Sequence, residues 1–96
     1  MTNSSNPVDE ESVRKFIRQL ILELAPNQTV GTYTPELRLL EDFQYNSLAL
    51  MELAFTLEDE FGLDPISEEQ ARAIVTASDV EAHVISELLR KRGAPA

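Results

Sequence analysis

Val13, Phe16, Ile17, Leu20, Ile21 and Leu24 recur every three or four positions, which is the spacing of one apolar stripe on a helix. Asn6 stands as a cap ahead of Pro7 and Val8, with Asp9, Glu10 and Glu11 in the positive first turn. The pattern predicts a first helix from about Pro7 that Pro26 stops, preceded by a disordered tail over residues 1–6 rich in Ser and Asn. From Pro26 to Asn46 the period is lost. So long a connection needs pinning, and Leu37, Leu39, Leu40 and Phe43 are the residues expected to reach a core, with Thr34 and Pro35 opening a short helical turn. Helical spacing resumes from about Ser47 to Phe61 and stops at Gly62. Ser67, Glu68, Glu69 and Gln70 have capping-box spacing and open a short helix that ends near Val75. Thr76 or Ser78 starts the last helix, whose apolar face is Val80, Val84, Ile85, Leu88 and Leu89. Arg90, Lys91 and Arg92 complement its negative end and Gly93 closes it. No segment alternates as a strand would. The expected fold is all-α, a small four-helix bundle of three long helices and one short one, with a long loop between the first two. Its domain spans residues 7–92, with a C-terminal tail over 93–96.

The second long helix has more apolar residues than one face needs. At 100° per residue from Ser47, Leu50, Leu53, Ala54, Leu57 and Phe61 fall between roughly 240° and 340°, an ordinary core stripe. Leu48, Met51 and Phe55 form a separate strip between roughly 40° and 100°, bordered by Glu52, Glu58 and Asp59. Periodicity leaves two arrangements open. Either the helix is buried all round, or the second strip is an exposed patch with an acidic rim, suited to transient docking. Few helices are available to cover both faces, and burying the acidic border would be costly.

Charge sharpens this picture. The chain of 96 residues carries 17 acids against 8 bases, for a net charge of −9. Glu41, Asp42, Glu52, Glu58, Asp59, Glu60, Asp64, Glu68 and Glu69 all lie between Leu39 and Ala71, where there is no lysine or arginine. Acids and bases cancel over the rest of the chain, so the net charge sits in the segment that holds the second strip. Nucleic acid would be repelled, and a basic partner surface would be attracted. Hydrophobic residues are 43% of the sequence, too many for a disordered chain. The apolar runs are too short to span a membrane, and the acidic start resembles neither a secretory signal nor a transit peptide. A soluble, cytoplasmic monomer is expected.

Candidate chemistry is sparse. There is no cysteine, hence no disulfide framework and no thiolate metal site. His83 is the only histidine and is expected on the polar side of the last helix, which leaves Ser47 without the base a hydrolytic triad requires. Asp59 to Asp64 lacks the ligand alternation of a calcium loop, and three glycines form no phosphate-binding loop. The chain is not expected to be an enzyme or to bind a metal. Ser47 at a helix N-terminus suits a different role, because free N–H groups and the helix dipole favour an attached phosphate ester there. Local physics by itself favours the plainer role for Ser47, that of helix cap.

The order of these features resembles the acyl carrier protein family over roughly residues 8–89. A long first helix and a long loop lead to Leu39-Leu40-Glu41-Asp42-Phe43 and then Asn46-Ser47-Leu48. Met51-Glu52-Leu53, Leu57 to Gly62, the short helix after Ser67 and a final amphipathic helix follow. The resemblance implies that Ser47, flanked by Asn46 and Leu48, receives a 4′-phosphopantetheine arm from coenzyme A through a phosphodiester. The arm's thiol would carry acyl or aminoacyl groups as thioesters, sheltered between the helices and passed between enzymes. It also implies docking through Leu48, Met51, Glu52, Phe55, Glu58 and Asp59 onto basic patches of a phosphopantetheinyl transferase, a loading enzyme, a ketosynthase or an acyltransferase. The family usually has aspartate before the serine, where this chain has Asn46, and often a glycine where it has Gln44. Asn46 removes a charge beside the modification site. Ala49 and Leu50 replace the more polar residues of housekeeping fatty-acid carriers. These departures point to a free-standing carrier specialised for polyketide or mixed polyketide–peptide biosynthesis. The alternative is a carrier-like helical module that is never modified and serves as a structural subunit.

Overall fold

The computed structural model describes residues 10–93. The expected tail over residues 1–6, the helix start at Pro7 with its Asn6 cap, and residues 94–96 lie outside that range. Four helices follow in order: α1 (Glu10–Leu24), α2 (Ser47–Phe61), α3 (Glu68–Ala73) and α4 (Ala77–Gly93). This is the expected all-α bundle. The α1 stripe is buried at Val13, Ile17, Leu20 and Ile21, and α1 packs against both α2 and α4. Phe16 meets Phe61 edge to face at 5.6 Å between ring centroids, joining the middle of α1 to the end of α2. Ala77, Val80, Val84 and Ile85 bring α4 into the same core.

Each helix start after α1 has its own capping chemistry. In α3 the Gln70 N–H donates to Ser67 Oγ at 3.1 Å and the Ser67 N–H to Gln70 Oε1 at 3.0 Å, a complete capping box. That helix ends at Ala73, two residues short of the expected Val75, and none of its side chains is buried. For α4 the cap is Thr76 rather than Ser78. Thr76 Oγ1 accepts from the Asp79 N–H, while Asp79 Oδ2 accepts from Val75 and Thr76 N–H groups at 2.9 and 3.0 Å. Those backbone donors hold the Asp79 carboxyl below its ordinary pKa.

The long loop is fixed from within. Leu39, Phe43 and Tyr45 are buried and Leu37 is half-buried. Leu40, expected to help, is 61% exposed. The consecutive Leu39 points inward instead, and Tyr45 supplies the further anchor. Leu89, expected on the apolar face of α4, is likewise exposed. The Leu39 N–H donates to Val75 O and the Ala77 N–H to Leu37 O, forming one isolated antiparallel bridge between Arg38 and Thr76. A single bridge is no strand, but it clamps the loop to the α3–α4 junction.

A charged cluster in the interior was not foreseen from the pattern. Glu81 on α4 is 1% exposed. It accepts from Arg14 at 2.9 Å, from Arg18 at 3.0 Å and from the Tyr33 hydroxyl. Arg18 also lies over the Tyr33 ring, a cation–π contact. Burial raises the Glu81 pKa, but the donors from Arg18, Tyr33 and Arg14 outweigh it, and the carboxyl stays below its ordinary value. The cluster ties α1, the loop and α4 together.

Candidate modification and docking site

The three residues before Ser47 set its position. Gln44 has φ 61, in the left-handed region that glycine adopts with least strain. The chain then turns in at Tyr45, which is 3% exposed and whose hydroxyl donates to Ile21 O at 2.7 Å. Burial raises the pKa of that phenol. Asn46 follows in extended conformation, and its Oδ1 accepts from the Ala49 N–H at 2.8 Å.

Asn46 is therefore the helix cap, which corrects the expectation that Ser47 fills that role. Ser47 is the first helical residue. Its side chain is exposed, and its hydroxyl makes no hydrogen bond among the described residues. The N–H groups of Ser47 and Leu48 lie ahead of the first intrahelical bond, made by the Leu50 N–H to Asn46 O. The first turn of α2 holds no carboxylate, whereas those of α1, α3 and α4 do. A phosphodiester on Ser47 Oγ would meet the positive end of the dipole with no adjacent negative side chain to repel it. The residues present fit such a group.

The two apolar faces of α2 separate as two environments. Ala49, Leu53 and Leu57 are buried, and Leu50 and Phe61 pack against them. Leu48, Met51 and Phe55 are 69%, 51% and 60% exposed. Glu52 and Asp59 flank them in solvent. Glu58 is half-buried, and its Oε2 accepts from the Ile66 N–H at 3.2 Å, so one rim carboxylate also shapes the α2–α3 loop.

Behind the inner face lies an apolar cavity of about 120 Å³ between α2, α3 and α4, walled chiefly by Leu50, Leu53, Leu57, Ile74, Val80 and Val84. His83 also lines it and is half-buried. That corrects its expected place on the polar side of α4, because the helix turns its edge, and not only its Val84 face, towards the gap left by the short α3. Among the described residues no three His, Cys, Asp or Glu side chains come together as metal ligands, and no helix is long and apolar enough to cross a membrane.

The described residues thus form a small helical bundle that presents an exposed serine at a helix start, beside an exposed apolar strip and an apolar cavity. No family model matches the chain. It is 31% identical over 68 residues to an acyl carrier protein of Desulforapulum autotrophicum, covering 71% of this chain and 87% of that protein. It is 40% identical over 50 residues to an acyl carrier protein of Helicobacter hepaticus, covering 52% of this chain and 64% of that one. A crystal structure of an acyl carrier protein from Thermotoga maritima superposes with a TM-score of 0.65 over 82% of this chain and 94% of its own, at 24% identity. That likeness shows the shared fold. The chain belongs to the acyl carrier protein family.

Proposed function

We propose that this protein carries acyl or aminoacyl intermediates as thioesters on a 4′-phosphopantetheine arm attached to Ser47, and that it acts as a carrier without catalysing a reaction itself. The arm supplies a thiol that this cysteine-free chain lacks. The observation that carries the reading is the placement of Ser47. Asn46 takes over the capping, which leaves the Ser47 hydroxyl exposed and free of hydrogen bonds among the described residues. A transferase can then reach Oγ, form the Oγ–P bond with the phosphopantetheinyl group of coenzyme A and release adenosine 3′,5′-bisphosphate. The protein's own residues orient Oγ and stabilise the resulting diester at the helix N-terminus.

Docking belongs to Leu48, Met51 and Phe55, with Glu52, Glu58 and Asp59 as the acidic border. Nothing among the described residues covers the apolar strip, and the acid excess around it favours a basic enzyme surface. The partners that fit are a phosphopantetheinyl transferase and a loading enzyme, ketosynthase or acyltransferase with arginine- and lysine-rich patches. Asn46, Ala49 and Leu50 support a specialised pathway of polyketide or mixed polyketide–peptide type in the cytoplasm over a housekeeping fatty-acid one.

Incubation with coenzyme A and a broad-range transferase, followed by intact mass measurement, is expected to show a single phosphopantetheine addition that Ser47→Ala abolishes. Failure of modification by every transferase tried would favour the unmodified interaction module, whose partner binding Ser47→Ala would leave unchanged.

A further inference from the structure

Sulfur is scarce in this chain. It has neither cysteine nor tryptophan, and its two methionines are Met1 and Met51. Met51 stands in the middle of the exposed α2 strip, three residues after Leu48 and four before Phe55, so all three share one face. It is 51% exposed, while the buried residues of α2 are Ala49, Leu53 and Leu57. A thioether so placed is open to a peroxide, and the core does not depend on its staying apolar.

Oxidation there changes the strip without changing the core. The Sδ lone pair attacks one oxygen of hydrogen peroxide, and the S–O bond forms as the O–O bond breaks. The departing hydroxide takes up the proton left on the transferred oxygen and leaves as water. Sulfur loses two electrons and the peroxide gains them. The product is a sulfoxide, a polar group in place of an apolar one. In the free protein, solvent hydrates its oxygen. Against an apolar contact surface that oxygen loses its water and gains no donor, so the penalty falls on docking and not on folding.

We propose that Met51 is a reversible oxidation site, at which a peroxide turns the α2 strip from docking-competent to docking-deficient while the fold persists. The consequence for docking rests on the reading of that strip as the face that meets a transferase or loading enzyme. A methionine sulfoxide reductase supplied with a dithiol returns the two electrons, releases the oxygen as water and leaves the dithiol as a disulfide. Leu48 and Phe55 carry no sulfur, so the control belongs to Met51 alone.

The test uses the full chain with Ser47→Ala, so that no arm is added. Hydrogen peroxide is applied and oxygen uptake is mapped by mass spectrometry of fragments. Binding of a broad-range phosphopantetheinyl transferase is then measured by calorimetry with coenzyme A present, and urea unfolding is run beside it. Met51 is expected to gain one oxygen, the dissociation constant to rise about three- to tenfold, and the urea midpoint to stay where it was. Methionine sulfoxide reductases A and B should restore both mass and affinity. In Met51→Leu, whatever its own affinity, peroxide should change nothing, which separates Met51 from Met1. Met51 left reduced while Met1 is converted, equal affinities before and after oxidation, a loss that persists in Met51→Leu, or a lowered urea midpoint would each overturn the inference. No transferase binding by the unoxidised protein would overturn the docking face and the inference with it. Binding that oxidation weakens, together with no arm on the parent's Ser47, would overturn the Ser47 reading and leave the oxidation site standing.

Discussion

Two helices place side chains against the usual rule, in opposite directions. On α2, Leu48, Met51 and Phe55 stand in water. On α4, Glu81 is withdrawn from it. An exposed large apolar patch and a buried charge are the informative departures from ordinary burial, and here they differ in whether the chain itself answers them. Glu81 finds Arg14, Arg18 and Tyr33, so its burial is resolved within the fold. The α2 strip finds no cover among the described residues, and the proposed docking assigns it a partner. The buried Glu81 belongs to architecture, and the exposed strip is the face proposed for encounter.

That contrast breaks most visibly in stability. Glu81→Ala leaves Arg14, Arg18 and Tyr33 without their common acceptor. Because both arginines keep partial access to water, the expected cost is about 2–3 kcal/mol, below that of a wholly buried pair. Met51→Glu removes apolar surface that the fold does not bury, and should change stability by less than about 0.5 kcal/mol. Urea unfolding of the two variants beside the parent measures both. Equal losses would mean that the α2 strip is packed, and the proposed docking face would go with it.

Binding should reverse the ranking. Phe55→Glu and Met51→Glu place a charge in the middle of the proposed contact and should raise the transferase KM about tenfold or more. Glu81→Gln, distant in role, should leave KM within about twofold while the protein stays folded. Added salt should raise the parent's KM as well, since the acidic border lies in solvent. A KM indifferent to both substitutions and to salt would place docking elsewhere.

The pH dependence follows from carboxylates held below their ordinary pKa: buried Glu81, half-buried Asp79, and Glu87, which Arg90 holds. Glu81 and Asp79 have folded-state pKa values below their ordinary ones. Their contributions are complete above the unfolded values, 4.5 for the glutamate, and are lost as pH falls through the lower folded values. Thermal midpoints should therefore drop on acidification below about pH 4.5, and less steeply in Glu81→Gln, which no longer has a proton to take up. An acid transition of unchanged steepness in that variant would assign it to other carboxylates.

Most of the architecture was legible because its punctuation is chemical. Pro26, Gly62 and the Ser67–Gln70 box mark helix ends by physics that needs no tertiary context. The division of α2 into two strips was legible too, because 100° spacing depends only on sequence, although burial had to decide between its two interpretations. What could not be read depended on neighbours from distant segments. Glu81 shares the α4 arc with Ala77, Val80, Val84 and Ile85, and a carboxylate at that register was the available signal. Its arginine partners lie on α1, more than sixty positions away. Leu39 and Leu40 are adjacent and alike in character, so only the bridge to the α3–α4 junction shows which one turns in. His83 looked polar and exposed because the cavity beside it arises from how short α3 is, a property of packing and not of spacing.

The smallest effect expected is at Gln44, where the backbone geometry that prepares Ser47 can be tested apart from both helices. Its φ of 61 lies where a side chain is strained and glycine is not, and Gln44 itself is exposed and makes no hydrogen bond among the described residues. Gln44→Gly should relieve the local strain, while the added freedom of the unfolded chain offsets part of the gain. The net outcome is a stabilisation of about 0.5–1 kcal/mol, read as a higher urea midpoint. Tyr45 and Asn46 hold the approach to Ser47 through the Ile21 carbonyl and the Ala49 N–H, so modification should proceed at an unchanged rate in this variant. A slower modification with improved stability would show that the stiffness of Gln44, beyond the anchoring of Tyr45 and the cap of Asn46, helps to present the serine. A loss of stability would mean that Gln44 is held by more than its backbone.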